Sequence, residues 1–199
     1  PGVRATFYTD AVKSFRIDGD ILCTHFGLSG PVILNNAYKV ADQLLNGVVT
    51  ATIDLFPRQD HGQLERNIIE LFDENKNKEF KNVLRAIVPT GTAKGILVLL
   101  ANDFDVETKV HSFSKENRKK LVQLLKAMPV EIDGLMGFDR AVVTDGGIPM
   151  TEIDPKTMRS KVVPNLFVTG DLLHINRPSG GFSLQLCWSS GWVAGNSAE

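Results

Sequence analysis

The chain is 199 residues long, with 43% hydrophobic and 23% charged residues, values ordinary for a soluble globular protein that buries a real core. A formal net charge of −1 excludes a strong overall field for nucleic acid or an anionic membrane, so neither is expected as a partner. The longest apolar run, Ile96-Leu97-Val98-Leu99-Leu100-Ala101, is too short to cross a bilayer, and no charged-then-apolar leader precedes it. Cys23 and Cys187 lie far apart and neither belongs to a CxxC pair, which predicts buried free thiols and a cytoplasmic setting. The chain opens at Pro1 and runs directly into strand-like alternation, as expected for a piece of a longer protein.

In chain order, Val3, Ala5 and Phe7 alternate with Arg4, Thr6 and Tyr8, the period of a half-buried strand. Asp18-Gly19 predicts a tight turn between strands at residues 14–17 and 20–24. Pro31 suits the first turn of a helix. Behind it Ile33, Ala37, Val40, Ala41, Leu44 and Leu45 recur at helical spacing, and Gly47 follows as a stop. Val49, Ala51, Ile53 and Leu55 then alternate with Thr50, Thr52 and Asp54, predicting another strand.

From residue 63 to 128 the period is helical. Leu64, Ile68, Leu71 and Phe72 form one stripe, and Phe80, Val83, Leu84 and Ile87 a second. A third helix is expected at 92–100, and a fourth is capped by Ser114 with Leu121, Leu124, Leu125 and Met128 facing inward. Short loops between the stripes suggest a small helical bundle between two stretches of sheet. Strand signals return at 130–133 and 141–144. The last fifty residues hold glycine-rich turns, one buried strand at 166–169 and one C-terminal helix.

The chemistry concentrates at that end. A buried strand running into Gly170-Asp171 puts a carboxylate at the carboxyl edge of a sheet, where open α/β folds bind ligands. Gly170 would let the backbone approach a ligand, and Asp171 could accept hydrogen bonds from sugar or ribityl hydroxyls. Gly180-Gly181 opens the helix that begins Phe182-Ser183-Leu184-Gln185. Its unpaired N–H groups suit a phosphate, or a ring that gathers negative charge on reduction. Taken alone, this spacing also fits an ordinary turn followed by a loop with positive φ.

Several ordered motifs add to it. Thr24-His25-Phe26-Gly27-Leu28-Ser29-Gly30-Pro31 is similar to THxGLSGP, and Val143-Thr144-Asp145-Gly146-Gly147-Ile148 to VTxGGV. Thr157-Met158-Arg159-Ser160-Lys161 is similar to TMESK, with Arg159 in place of glutamate. Residues 165–171 resemble GLYFAGE, residues 180–185 resemble GGYNLQ, and Trp188-Ser189-Ser190-Gly191 matches WSSG. Together they resemble the bacterial NAD(P)/FAD-dependent oxidoreductase family that includes aminoacetone oxidase and a bile-acid-pathway flavoprotein.

The resemblance implies an FAD domain interrupted by an insertion with a β-barrel and a helical bundle. The expected fold is α+β: a β-barrel-like antiparallel sheet with an inserted small helical bundle, then the C-terminal strand–helix piece of a Rossmann-like FAD domain. The expected boundaries are 1–59 and 129–148 for the β-rich part, 60–128 for the bundle and 149–199 for the FAD-binding piece. The resemblance carries flavin contact onto Gly170, Asp171, Gly180, Gly181, Phe182, Ser183, Leu184 and Gln185. Asp171 is one methylene shorter than the motif's glutamate, Phe182 lacks a tyrosine hydroxyl, and Ser183 replaces an amide. His25, Gly27 and Ser29 are substrate-side candidates, as are Thr144, Gly146 and Gly147 at the return into the FAD domain. Each set also has a structural reading as turn, hinge or hydrogen-bonded residues.

His61, His111 and His174 show no metal-ligand spacing, so no metal site is expected. Lys115, Arg118, Lys119, Lys120 and Lys126 read as a solvated helix face. No GxGxxG occurs in the chain, so the adenine-side half of an FAD site is expected in an N-terminal segment of the same protein. The function expected is part of an FAD-dependent oxidoreductase acting on a small molecule, with NAD(P)H as a candidate reductant and the piece inactive alone. A non-catalytic scaffold of a flavoprotein, or a flavin-dependent RNA-modifying protein, are the alternatives.

Overall fold

A computed structural model describes residues 2–141, 145–178 and 180–198. The chain is α+β, with antiparallel sheet and several helices, and it divides into two compact units. The first holds Pro1–Val32 and Asp42–Asp133, the second Ile33–Ala41 and Gly134–Glu199.

The first unit is built on a sheet of β1 (Val3–Thr9), β2 (Val12–Gly19), β5 (Val49–Asp54) and β6 (Met128–Ile132), in the order β2-β1-β5-β6 and antiparallel throughout. Alternation dictates its faces. Ala5 and Phe7 on β1 and Val49, Ala51 and Ile53 on β5 are buried, whereas the residues between them are half-buried. A short hairpin of β3 (Leu22–Thr24) and β4 (Gly27–Ser29) stands apart from this sheet.

The turn that joins β1 to β2 is at Asp10-Ala11 rather than at Asp18-Gly19. Both turn residues have positive φ, 47° and 64°, as the right-handed twist of a hairpin requires. The conformation is held from outside the turn: Asp10 Oδ1 accepts from the Val48 N–H at 3.0 Å, and the Asp10 N–H donates to the Val48 carbonyl at 3.0 Å. Asp18 and Gly19 instead close the end of β2, paired with Arg4 and Val3. Local turn chemistry was outweighed by a tertiary hydrogen bond.

Two further corrections concern residues 20–47, of which Ile33–Ala41 belong to the second unit. The single helix expected after Pro31 is broken at Asn35-Asn36 into α1 (Pro31–Leu34) and α2 (Ala37–Leu44). The Asn36 carbonyl accepts from the Lys39 and Val40 N–H groups and so starts the second segment. Cys23 is exposed on β3 rather than buried, although both cysteines are free.

The helices fall close to where the stripes place them: α3 (His61–Glu74), α4 (Phe80–Ile87), α5 (Thr90–Leu100) and α6 (Lys115–Lys126), although Met128, expected on the inner face of the last, instead begins β6. α3 opens on a reciprocal cap in which Asp60 Oδ1 accepts from the Gln63 N–H at 2.8 Å and Gln63 Oε1 accepts from the Asp60 N–H at 3.1 Å. Ser114 caps α6 by accepting from the Asn117 N–H at 3.0 Å. Phe72, Phe80, Phe104 and Phe113 interlock with ring centroids 4.7–6.2 Å apart, and Phe80 is wholly buried among them. α6 lies against β5 and β6, and α3 against α6, so one core serves sheet and bundle. Lys126, at the end of α6, fixes their junction. Its ammonium meets Asp54 at 2.7 Å and donates to the Phe56 and Gln59 carbonyls at 2.8 and 2.7 Å.

In the second unit, residues 166–169 are extended but form no ladder. Phe167 makes only an isolated bridge with Arg159. The same backbone is bound by Ser160 N–H to the Leu166 carbonyl and by Val168 N–H to the Met158 carbonyl. Of the run expected to be buried only Val168 is, joining Ile153, Met158, Leu173 and Ala194 in a separate core, whereas Leu166 is exposed and Phe167 half-buried. Burial without a neighbouring strand does not make a strand. The strand expected at 141–144 lies, apart from Ala141, outside the described residues. The C-terminal helix, α7 (Phe182–Ser197), is formed as the sequence predicts. No helix among the described residues is long and apolar enough to cross a membrane.

Truncating Phe80 to alanine removes the centre of the aromatic cluster and is expected to cost about 3–5 kcal/mol, read as a fall in urea midpoint. A second test concerns acid. The Arg4 guanidinium hydrogen-bonded to Asp18 holds that carboxyl below its ordinary pKa, so the pair stabilises above the unfolded pKa and the effect fades as pH falls through the folded one. Asp18→Asn should therefore lower stability slightly near neutrality and flatten the acid limb, the two proteins converging at low pH where the carboxyl is protonated.

Candidate functional site

The residues singled out at the C-terminal end come together in the second unit, around a single turn of 3₁₀ helix at Gly170–Leu172 and the start of α7. Gly170 has φ of +62°, and a Cβ there would lie 2.8 Å from the Cys187 sulfur on α7. Its N–H donates to Ser190 Oγ at 2.9 Å, and that hydroxyl, buried under the helix, donates in turn to the Leu186 carbonyl at 2.5 Å. The close approach that requires glycine is thus to α7. Asp171, the next residue, turns its carboxylate outward, more than half exposed, toward the guanidinium of Arg177.

Gly147 meets the same turn from another side. A Cβ at this position would stand 2.6 Å from the Leu172 carbonyl, and its φ is +120°. The neighbouring Ile148 N–H donates to that carbonyl at 2.8 Å, and the His174 N–H donates to the Ile148 carbonyl at 2.9 Å. Gly146, with φ of +106°, leads into this contact, and Asp145 lies 3.9 Å from His174. The DGGI segment and the GDLL segment are therefore neighbours, whereas Thr144 lies outside the described residues.

Among the described residues, no side chain caps the start of α7. Gly181 occupies the cap position, no acidic residue sits in the first turn, and Gly180 has φ of +106°. A Cβ on either glycine would meet nothing within 4 Å, so the approach to the helix end is open. The Gly181 carbonyl accepts from the Gln185 N–H at 3.0 Å, and the Gln185 side chain donates to Ser189 Oγ at 2.9 Å. Phe182 and Leu184 are more than half exposed. So are Trp188 and Trp192, one and two turns beyond Leu184, which gives α7 an apolar outer stripe opposite its buried Ser190 and Ala194. The arrangement offers backbone donors that no described side chain caps, an outward carboxylate and an exposed aromatic ring.

The second set of candidates is in the first unit. His25 and Phe26 form the tip of the β3–β4 hairpin, with their rings edge to face at 4.8 Å, and Thr24 Oγ1 donates to the Gly27 carbonyl at 2.9 Å. His25 is exposed; Gly27 and Ser29 bound β4. Gly30 has φ of +102°, and a Cβ there would stand 3.2 Å from the Asp20 carbonyl, a structural reason for glycine at this part of the motif. Of the five cations on α6, Lys120 and Lys126 are engaged by Asp103 and Asp54.

Sequence reasoning missed Arg177, Cys187 and Ser190. Arg177 carried a signal, since a lone cation in a glycine-rich loop six residues after Asp171 invites the question of which carboxylate it answers. Ser190, within the WSSG motif, offered none about its role.

The sheet and the several helices define an α+β protein, whose candidate site lies at the N-terminal end of its last helix. Residues 3–143 match the model of the HI0933-like protein barrel and H2TH domain, and the chain belongs to that family. It is 29% identical over 175 residues to the ribosomal RNA dihydrouridine synthase of Escherichia coli K12, covering 87% of this chain and 41% of that protein. The enzyme of the same name from Haemophilus influenzae is 29% identical over 184 residues, or 91% and 42%. The 3-dehydro-bile acid delta(4,6)-reductase of Clostridium scindens is 25% identical over 183 residues, or 90% and 44%. The chain thus spans less than half the length of these relatives.

Gly170→Ala combines left-handed backbone with a contact at the Cys187 sulfur, and should destabilise by about 2 kcal/mol or more. Ser190→Ala orphans the buried Gly170 N–H and should cost about 1–3 kcal/mol. Chemical denaturation of each variant, with Gly191→Ala as the unconstrained control, checks both.

Proposed function

We propose that this chain supplies the ring- and ribityl-facing half of the FAD site of an oxidoreductase. The observation that carries the reading is the open, glycine-begun N-terminus of α7 beside the outward carboxylate of Asp171. The donor set fits the group. Helix-end N–H groups favour acceptor atoms that gain negative charge, a carboxylate accepts from ribityl hydroxyls, and the exposed Phe182 offers an apolar surface. When bound, the flavin would supply the two-electron redox chemistry. The chain's own residues orient it: Gly180 and Gly181 leave room at the helix end, Phe182, Ser183, Leu184 and Gln185 form the first turn behind it, and Gly147 holds the Gly170–Asp171 turn in place. The names of the relatives agree in kind, since a reductase and a synthase of dihydrouridine both carry out reductions. NAD(P)H is the reductant of this proposal, and a small molecule its substrate.

A second reading takes RNA as the substrate. It is favoured by two relatives named for ribosomal RNA, against the absence of a net basic charge in this chain. Assay of the full-length protein on undermodified ribosomal RNA and on small conjugated ketones, with NADPH and NADH in turn, separates the two.

Because no GxGxxG fingerprint occurs in these residues, the 199-residue chain alone is expected to bind FAD weakly or not at all, whereas the full-length protein should bind it tightly and be yellow. Titration followed by flavin fluorescence decides. A full-length protein that fails to take up FAD sinks the proposal, and tight binding by the isolated chain would show that these residues suffice.

A further inference from the structure

We infer that Arg177 is the positioning residue of the proposed flavin site, setting both its hydrogen-bond polarity and its charge; the inference rests on the flavin reading above. The Arg177 side chain is only 9% exposed, and its guanidinium is used in three directions. Nη1 donates to the Ile175 carbonyl at 2.6 Å, Nε donates to Ser183 Oγ at 2.9 Å, and Nη2 donates to Asp171 Oδ1. One buried cation therefore joins the 3₁₀ turn, the connecting loop and the first turn of α7.

The consequences follow from donor and acceptor bookkeeping. Guanidinium has no acceptor, so Ser183 Oγ must accept from it, and the serine's own proton is left to donate elsewhere. Asp171 uses Oδ1 on the guanidinium and keeps Oδ2 as an acceptor. The pair thus presents one oriented donor and one oriented acceptor beside the helix end. Arg177 also neutralises Asp171. Without it, a carboxylate close to the α7 N-terminus would offset the partial positive charge that the backbone donors create there.

The two side chains that Arg177 joins are also two of the departures from the resembled motifs, Asp171 shorter than glutamate and Ser183 shorter than an amide residue. A guanidinium, planar and with donors on several edges, reaches both short side chains at once, which lysine could not do. The three residues act as one unit, tuned toward a ligand whose ring becomes anionic when reduced.

The test uses the full-length protein. Arg177→Met keeps the buried stem and removes the donors. It is expected to weaken FAD binding roughly tenfold and to lower the flavin midpoint potential by about 30 mV, the two-electron equivalent of a tenfold preference lost by the reduced form. Arg177→Lys, which keeps the charge but not the fork, should lose affinity while holding a potential near the parent value. A change in melting temperature with affinity and potential untouched would reduce Arg177 to a structural strut and overturn the inference. If Arg177→Met does not fold, Arg177→Lys decides: parental affinity overturns the inference, and weakened binding upholds it. A parent protein that binds no FAD overturns the flavin reading and this one together, whereas parental binding with an indifferent Arg177 overturns this one alone.

Discussion

A backbone N–H cannot be buried without an acceptor, and the second unit is arranged around how one such group is satisfied. Gly170 gives its N–H to Ser190 on α7, across a contact too close for any Cβ. Below that junction, Val168 and Leu173 pack with Ile153, Met158 and Ala194. Above it, Asp171 leaves the turn toward solvent and α7 presents its open first turn. The hydrogen bond therefore sets the distance between a turn and a helix, and with it the geometry of everything the two display. The DGGI segment adds a brace on the other side, since Gly147 and Ile148 lock onto the Leu172 carbonyl.

The first unit solves a different problem, that of joining a sheet to a helical bundle with a single core. Its aromatic cluster supplies apolar burial, while Lys126 ties the exit of α6 to β5 through Asp54 and to the segment before α3 through two carbonyls. Such an ammonium replaces lost water with several fixed oxygens, the condition under which a nearly buried charge is tolerated.

The legible parts of the fold were those in which local pattern and tertiary demand agree. Alternation on Val49, Ala51 and Ile53 marks the most buried strand, Ser114 starts a helix through a contact three residues away, and Gly180-Gly181 opens α7. Illegible features depend on distant groups. The β1–β2 turn at Asp10-Ala11 exists because Val48 completes it, which no window of the sequence contains. The run at 166–169 reads as a buried strand, yet only Val168 is buried, Leu166 is exposed and Phe167 makes an isolated bridge, because apolar character alone settles neither burial nor a neighbouring strand. At the candidate site, the glycines and Asp171 were visible through their spacing. The dependence of Asp171 and Ser183 on Arg177 was not, since it needs a loop to fold back on itself before three residues meet.

The exposed outer stripe of α7 has a spectroscopic meaning. The chain contains two tryptophans, Trp188 and Trp192, and both lie on that stripe. Its ultraviolet emission above that of tyrosine therefore originates from one helix face, two turns from the glycine-opened end. The sheet and the bundle are dark in this channel. Light from this protein reports what covers α7, and a scientist following it would be watching the neighbourhood of one helix, with no view of the rest of the molecule.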